Sequence, residues 1–376
     1  MRTRLTCDSF LAMAIALVGC NGSKFGDVDT APAPKTSGTV EAAPAVEGDP
    51  ADIVGQLKQV ATNVKLDGNG FVTEVDFRGT TIDDEALQQL ARLERVQSLL
   101  LNDTSITDAG LEVVGQLKSL RNLDLRGCGV SNDGIAHLTE LSNLRALRLS
   151  GSSGATTVDD DGLKPIAGLT SLKALALDFL WVSEVGLAEL SQLKELEELY
   201  LAKTLVGDEA LPLLRQFPKL KKLRISQTQV SSAGLEHLGV LTTLEDLDLS
   251  ENSQIFDDGM THLAGLTSLK RLNLWRDALT DAGMEPLAGL TNMEWLNVDN
   301  TQLSDAGLKH FQNMNKLTFL HLGSTAVSDA GLPQLEGLTS LKDLKVTRTA
   351  VTAAGVAKLK EKLPDTEIQL KYIEGE

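Results

Sequence analysis

The sequence is poor in aromatic residues, in cysteine and in positive charge. Phe, Tyr and Trp make up only 4% of the 376 residues, so something other than aromatic rings, evidently leucine, must fill the core. Three cysteines cannot build a disulfide scaffold. The 52 acidic against 35 basic side chains give a formal charge of -17, which argues against binding nucleic acid through bulk electrostatics. The 42% hydrophobic content excludes a disordered or collagen-like chain.

The N-terminus has the pattern of an export signal. Two arginines precede an apolar run over residues 10–18, which is too short to cross a bilayer as a helix. The run ends in Leu17-Val18-Gly19-Cys20, which resembles the lipobox of bacterial lipoproteins. This resemblance implies a lipoprotein signal peptide over residues 1–19 and a diacylglyceryl anchor on Cys20. The protein would then be exported and lipid-anchored at the bacterial cell envelope, with its only membrane contact through that lipid; an ordinary secretory signal is the alternative.

Two short segments separate this signal from the rest of the chain. Residues 20–50 have several prolines and no hydrophobic periodicity, which predicts a disordered tether with a reach of roughly 30 Å. Residues 51–71 predict an N-terminal cap, with a short helix over 51–62 followed by a hairpin that turns at Asp67-Gly-Asn-Gly70 and leads into Val72.

A 24-residue repeat fills residues 72–364. Its first position falls at residues 72, 96, 120, 144, 172, 196, 220, 244, 269, 293, 317 and 341, with four extra residues in the fourth repeat and one in the eighth. Positions 1, 4 and 6, such as Leu220, Leu223 and Ile225, are apolar around a short strand. Positions 16, 19 and 22 add the apolar stripe of a short helix. Each repeat therefore predicts a strand followed by a helix, and no second domain remains.

The polar positions of the repeat have structural explanations. Position 9 is Thr in seven repeats and Cys128 in the third, where the chain leaves the strand; we expect Cys128 to be buried and unreactive. Position 12 is Ser, Thr or Asp in ten repeats and position 13 is acidic in nine, which indicates an N-cap and an acid facing the helix dipole. Position 15 is Gly in ten repeats, which predicts a close approach between the helix and a neighbouring backbone.

The Leu-x-x-Leu-x-Leu skeleton, followed by sequences such as Thr107-Asp-Ala-Gly-Leu111, resembles the ribonuclease-inhibitor-like and cysteine-containing leucine-rich repeats. The resemblance implies an α/β leucine-rich-repeat solenoid, a horseshoe with a parallel concave sheet and outer helices. Residues 365–376 then predict a C-terminal cap, with Ile368 and Leu370 in a last strand. The matching residues build the scaffold, so the resemblance says little about function.

The sequence contains no pattern typical of catalysis. His137, His237, His262 and His310 all occupy helix position 18, where a solvated surface explains them better than a metal site. The glycines recur at one structural position and form no phosphate-binding loop. We therefore predict a protein that is not an enzyme and holds no metal or cofactor.

A concave face would expose positions 2, 3, 5, 7 and 8. These hold 16 basic and 14 acidic side chains in alternating bands, for which ion pairing between neighbouring coils is the simplest interpretation. The scarce aromatics are more informative: Trp275, Trp295 and Phe319 lie in three consecutive repeats and predict one patch, together with Arg276, Asn297 and His321. The alternative is that these rings cover one another. Phe179, Leu180 and Trp181, beside the four-residue insertion, form a second candidate patch.

Taken together, these patterns predict a non-catalytic, lipid-anchored recognition module that binds a protein or peptide ligand on the concave face. Flat aromatics beside amides also suit a cell-wall polysaccharide, which is the first alternative. A structural envelope protein without a specific ligand is the second.

Overall fold

The computed structural model describes residues 48–371, which form a row of coils with one strand each. Fourteen strands lie in a single sheet in chain order. The first two, β1 (Asn63–Leu66) and β2 (Val72–Asp76), form the predicted antiparallel hairpin, and every later pair is parallel. The others are β3 (Ser98–Leu100), β4 (Asn122–Asp124), β5 (Ala146–Ser150), β6 (Ala174–Asp178), β7 (Glu198–Tyr200), β8 (Lys222–Arg224), β9 (Asp246–Asp248), β10 (Arg271–Asn273), β11 (Trp295–Asn297), β12 (Phe319–His321), β13 (Asp343–Lys345) and β14 (Glu367–Gln369).

The predicted signal peptide, Cys20 and most of the predicted tether lie outside the described residues, as does the end of the chain after Lys371. The cap helix α1 spans Ala51–Val60, and β14 adds the predicted last strand beside β13.

Short helices connect the strands. The α-helices after the cap are α2 (Asp84–Leu87), α3 (Asp108–Val114), α4 (Asn132–Ala136), α5 (Asp160–Ile166), α6 (Glu184–Glu189), α7 (Asp257–Met260), α8 (Asp281–Met284) and α9 (Ala353–Lys362). The 3₁₀ segments are Gln88–Arg92, Leu190–Gln192, Asp208–Gln216, Gly234–His237, Thr261–Leu263, Glu285–Gly289, Gly307–Phe311 and Leu332–Leu335. The 3₁₀ geometry agrees with the three-residue spacing of positions 16, 19 and 22, because a 3₁₀-helix has three residues per turn.

Leucine fills the space between the sheet and the helices. In the seventh repeat Leu220, Leu223 and Ile225, in and beside the strand, are buried, as are Leu235 and Leu238, in and beside the 3₁₀ segment. The same positions are buried along the solenoid and form one continuous core. The predicted α/β solenoid is therefore confirmed.

Position 8 has left-handed backbone in nearly every repeat, which the sequence did not reveal because most of these residues are not glycine. The N–H group of the residue at this position donates a hydrogen bond to the next coil, as Lys203 does to the carbonyl of Ser226 at 2.9 Å. The chain can therefore turn without losing the backbone hydrogen bonds between coils. Each non-glycine residue there costs roughly 1 kcal/mol. The residues with positive φ at this position are Gly79, Asp103, Gly127, Phe179, Lys203, Gln227, Glu251, Arg276, Asn300, Ser324 and Arg348.

The acids at position 13 connect successive coils. Asp108 accepts hydrogen bonds from the backbone N–H of Ser131 at 2.7 Å and from its hydroxyl at 2.5 Å. Ser131 also caps α4 through its side chain, as the sequence predicts for position 12. The predicted role of the acid was incomplete, because its carboxylate serves the following coil. Equivalent pairs are Asp84–Thr107, Asp160–Ser183, Asp208–Ser231, Asp257–Thr280, Asp281–Ser304, Asp305–Ser328 and Asp329–Thr352.

The Asp–hydroxyl pairs form a ladder along the solenoid, but at some junctions between repeats other residues replace them. Between the third and fourth repeats Asn132 replaces the acid, and its amide donates to Asp159 at 2.7 Å while its oxygen accepts the N–H of Asp159. Between the fifth and sixth repeats Glu184 replaces Asp and Gly207 replaces the hydroxyl residue, so the Asp–hydroxyl pair cannot form there.

Candidate ligand-binding face

The open face of the sheet, which the helices do not cover, carries paired charges between neighbouring coils. Glu197 contacts Lys173 at 2.7 Å and Lys221 at 2.9 Å, and these hydrogen bonds lower the pKa of Glu197 to about 2. Further pairs between coils are Glu198–Lys222, Asp178–Arg224, Asp248–Arg224, Glu245–Lys270, Asp246–Arg271 and Glu251–Arg276. The prediction that the charge bands pair with one another is confirmed.

Two of the predicted aromatic residues stack on adjacent strands. Trp295 pairs in register with Phe319, and their ring centres lie 4.9 Å apart with 6° between the planes. The Arg271 guanidinium lies 4.4 Å from the centre of the Trp295 ring, and Lys345 lies 6.0 Å from the Phe319 ring. His321 meets Phe319 edge-on at 6.3 Å. The rings thus partly cover one another, and both are half-buried.

Trp275 belongs to a separate part of the face. It occupies position 7, whereas Trp295 and Phe319 occupy position 3, and four residues along a strand correspond to about 13 Å. Among the described aromatic residues, only the Phe319 ring stacks on Trp295, and the Trp275 ring lies 5.4 Å from the Arg276 guanidinium. The single patch predicted from the sequence is therefore divided in two.

A cleft of about 360 Å³ adjoins the stack at the carboxyl ends of the last strands. Of the six residues predicted for the patch, Trp275, Arg276 and His321 line this cleft, and Trp295, Asn297 and Phe319 do not. The Asn297 side chain instead accepts the N–H of Asp299 at 3.0 Å and shapes the turn after β11. The lining residues that the sequence prediction missed are Asp299, Asn300, Ser324, Lys345, Thr347, Arg348 and Gln369.

Basic side chains outnumber acidic ones in the lining of the cleft. Its lining contains Arg276, Lys345 and Arg348 against one carboxylate, that of Asp299. His321 approaches Asp299 at 4.0 Å, and burial lowers the pKa of His321. Positions 7 and 8 of consecutive repeats supply most of these side chains, and that row was the sequence signal that could have located the cleft.

Other side chains singled out in the sequence have different surroundings. Cys128 is a free, buried thiol that donates to the carbonyl of Leu101 at 3.1 Å, and burial raises its pKa, so the predicted structural role is confirmed. In the second candidate patch Leu180 lies in the core, and its prediction as a surface residue was wrong, because position 9 turns inward. Phe179 and Trp181 are exposed.

Within residues 48–371, His, Cys, Asp and Glu side chains nowhere gather in a group of three that could hold a metal ion. In the same range, every helix is too short or too polar to cross a membrane.

Comparisons with known proteins support the repeat and the fold. Two leucine-rich-repeat family models match, one over residues 267–327 and the other over residues 116–139 and 240–264. The crystal structure of an internalin (inlF) from Listeria monocytogenes is 20% identical, with a TM-score of 0.63 over 86% of this chain and 96% of that one. A leucine-rich-repeat protein from Leptospira interrogans is 18% identical, with a TM-score of 0.46 over 77% of this chain and 88% of that one.

None of the curated proteins compared with the chain matches it in sequence. The repeats are thus leucine-rich repeats and the fold is their solenoid, while the structural likeness at these identities concerns the fold alone.

Proposed function

We propose that this leucine-rich-repeat protein is a non-catalytic recognition module that binds a protein or peptide ligand on the open face of its sheet. The observation that carries the proposal is the half-exposed Trp295–Phe319 stack beside a polar cleft. The charged side chains of this face are largely paired between coils, so the exposed aromatic rings are its distinctive feature. Aromatic and arginine side chains next to a pocket are typical anchors of protein interfaces.

The covered ring faces favour a peptide over a polysaccharide. A sugar stacks its flat side on an open aromatic face, but Arg271 lies over Trp295 and Phe319 stacks on it. The ring edges remain for apolar contacts, and the adjoining cleft offers hydrogen-bond donors and acceptors to a backbone. A peptide lying across the last strands uses both parts of the face.

Crosslinking in intact cells tests this proposal. We expect a photoreactive amino acid at Asn297 to form an adduct with a polypeptide, and the same group at His137, on an exposed helix, to form none. Trp295→Ala or Trp275→Ala should reduce the adduct at least tenfold, because buried aromatic anchors contribute about 2 kcal/mol or more to binding. The readout is the adduct band after immunoprecipitation.

Two results would contradict a peptide ligand. If neither tryptophan substitution lowers the amount of adduct, these tryptophans do not anchor the ligand. If the full chain binds oligosaccharides on a glycan array and Trp295→Ala abolishes that binding, the ligand is a sugar.

The proposal includes export and attachment to the cell envelope through lipid on Cys20, on the strength of the Leu-Val-Gly-Cys motif. We expect Cys20→Ser to abolish labelling with a radioactive fatty acid, because the thiol is the acceptor of the lipid. Cys7→Ser, within the segment that cleavage removes, is the matched control and should be labelled normally. Labelling that persists in Cys20→Ser would remove the anchor from the proposal.

A further inference from the structure

A second surface lies on the edge of the solenoid where strands lead into helices. In the fifth and sixth repeats four large apolar side chains are exposed there: Phe179 by 40%, Trp181 by 71%, Val185 by 61% and Leu205 by 41%. We call these four residues the edge patch. It is separate from the Trp295–Phe319 stack, because its two coils are β6 and β7 with their following turns, whereas the stack lies on β11 and β12.

The two coils that carry the edge patch lie in register. The N–H of Phe179 donates to the carbonyl of Ala202 at 2.7 Å, and the N–H of Leu205 donates to the carbonyl of Val182 at 2.9 Å. Trp181 and Leu205 both occupy position 10, so they are neighbours at about the strand spacing of 4.8 Å. The edge patch therefore places exposed apolar residues on two adjacent coils.

The other repeats show that the fold does not require these residues. Position 10 is small or polar elsewhere, as in Ser105, Gln229 and Ala326, and position 14 is mostly alanine or an acid where the fifth repeat has Val185. Position 8 is aromatic only at Phe179, whose φ of 63° is costly for a bulky side chain. The same junction has also lost its Asp–hydroxyl pair, through Glu184 and Gly207. Several departures from the repeat thus coincide on one exposed patch.

Acidic side chains border the edge patch on its helical side. Trp181 pairs with Asp159 of the preceding coil in an isolated parallel bridge. Glu184 lies next to Val185, and Glu209 occupies the position of Val185 in the following coil. On the other side Lys203 lies 5.0 Å from the Phe179 ring. The surface is therefore apolar with a mainly acidic border.

We propose that the edge patch is a docking surface for a protein that presents an apolar side chain flanked by Lys or Arg. The apolar residues would bury the partner's side chain, and the carboxylates would pair with its cations. A second copy of this chain is a poor occupant, because the acidic borders would face each other. An anionic membrane is disfavoured for the same electrostatic reason, since the chain carries a net charge of -17.

The test uses a phage-displayed library of random peptides, selected on the full chain and depleted on Trp181→Ser. We expect the selected peptides to combine Trp, Phe or Leu with a neighbouring Lys or Arg, and to bind Trp181→Ser at least tenfold more weakly. Glu184→Gln combined with Glu209→Gln should weaken binding several-fold and reduce its dependence on salt. Val240→Ser changes an equally apolar residue, 52% exposed in the seventh repeat, and should bind like the parent. Trp295→Ala should also bind normally, which separates this surface from the open face.

Several outcomes would overturn the proposal. One is that no selected peptide depends on Trp181 for binding, and another is that the selected peptides contain no basic residues. A third is that the protein forms concentration-dependent dimers in sedimentation and that Trp181→Ser dissociates them. Binding to vesicles of 70% phosphatidylcholine and 30% phosphatidylglycerol that Trp181→Ser abolishes would assign the patch to a lipid surface. Circular dichroism of each variant checks that the fold is intact.

Discussion

Asp277→Asn is expected to stabilise the protein at alkaline pH by several kilocalories per mole. Asp277 stands at position 9, where Thr hydroxyls elsewhere donate to the carbonyl of position 6, as Thr301 does to Val298 at 2.8 Å. Asp277 is 2% exposed. One oxygen accepts the N–H of Asn252 at 2.9 Å, and the other has no hydrogen-bond partner among the described residues. A charge at this place is therefore poorly compensated.

Burial raises the pKa of Asp277 from its ordinary value of 3.8 to about 8, with a smaller contribution from the nearby Asp248 and Glu251 carboxylates. Between these two values the folded protein holds the proton more tightly than the unfolded chain does. The free energy of unfolding therefore falls as pH rises from about 4 to about 8, by about 6 kcal/mol over the whole window. The contribution is complete below pH 4 and lost above pH 8.

Urea unfolding at pH 5 and pH 9 measures the effect. Asn is the suitable replacement because Asn252, at the same position of the preceding repeat, donates its amide to the carbonyl of Leu249 at 2.7 Å. We expect the free energy of unfolding of the variant to depend much less on pH than that of the parent, and to be clearly higher than that of the parent at pH 9. Asp133→Asn makes the same change of charge at an exposed site and should leave the dependence in place. An unchanged slope in Asp277→Asn would show that another group titrates.

The features that repeat twelve times were predictable from sequence, and those that act between coils were not. The leucine positions specify the strand, the helix and the core, because each coil buries the same residues as its neighbours. The Asp–hydroxyl ladder resembles a local cap when one repeat is considered alone, since the sequence does not say which coil the carboxylate faces. The left-handed turn at position 8 was hidden because residues such as Lys203 and Arg276 do not favour positive φ.

The sequence predicted which face of the sheet carries the candidate site residues, but not which of those residues lie close together. Trp275, Trp295 and Phe319 do face the open side of the sheet, yet only the latter two meet. The prediction used the spacing between strands and neglected the distance along them, which separates position 3 from position 7. The cleft also needs Gln369 from β14, beyond the last repeat, so no periodic pattern could have revealed its full lining.

Gly134→Ala is expected to destabilise the protein by about 3 kcal/mol, although alanine favours a helix by about 1 kcal/mol. Gly134 lies in α4, and a Cβ there would fall 2.1 Å from a carboxylate oxygen of Asp108 and 3.1 Å from its Cα. The carboxylate cannot move away without breaking its two hydrogen bonds to Ser131. The close approach predicted for position 15 thus involves the side chain of the preceding coil as well as its backbone. The sixth repeat has alanine at this position, Ala210, and there the preceding coil has Glu184 in place of the Asp.

Thermal or urea unfolding of four proteins decides whether the contact with Asp108 is the cause: the parent, Gly134→Ala, Asp108→Ala and the double variant. We expect strong non-additivity, because removing the carboxylate removes the closest contact and leaves only the one to the Cα, so that Gly134→Ala costs much less in the Asp108→Ala background. Gly289→Ala is the matched control: it ends a 3₁₀ segment, a Cβ there has nothing within 4 Å, and the variant should be as stable as the parent or slightly more so. Two results would contradict this explanation: additive changes in the free energy of unfolding, or a Gly134→Ala variant as stable as Gly289→Ala. Either would mean that the Asp–hydroxyl pairs do not require glycine at position 15.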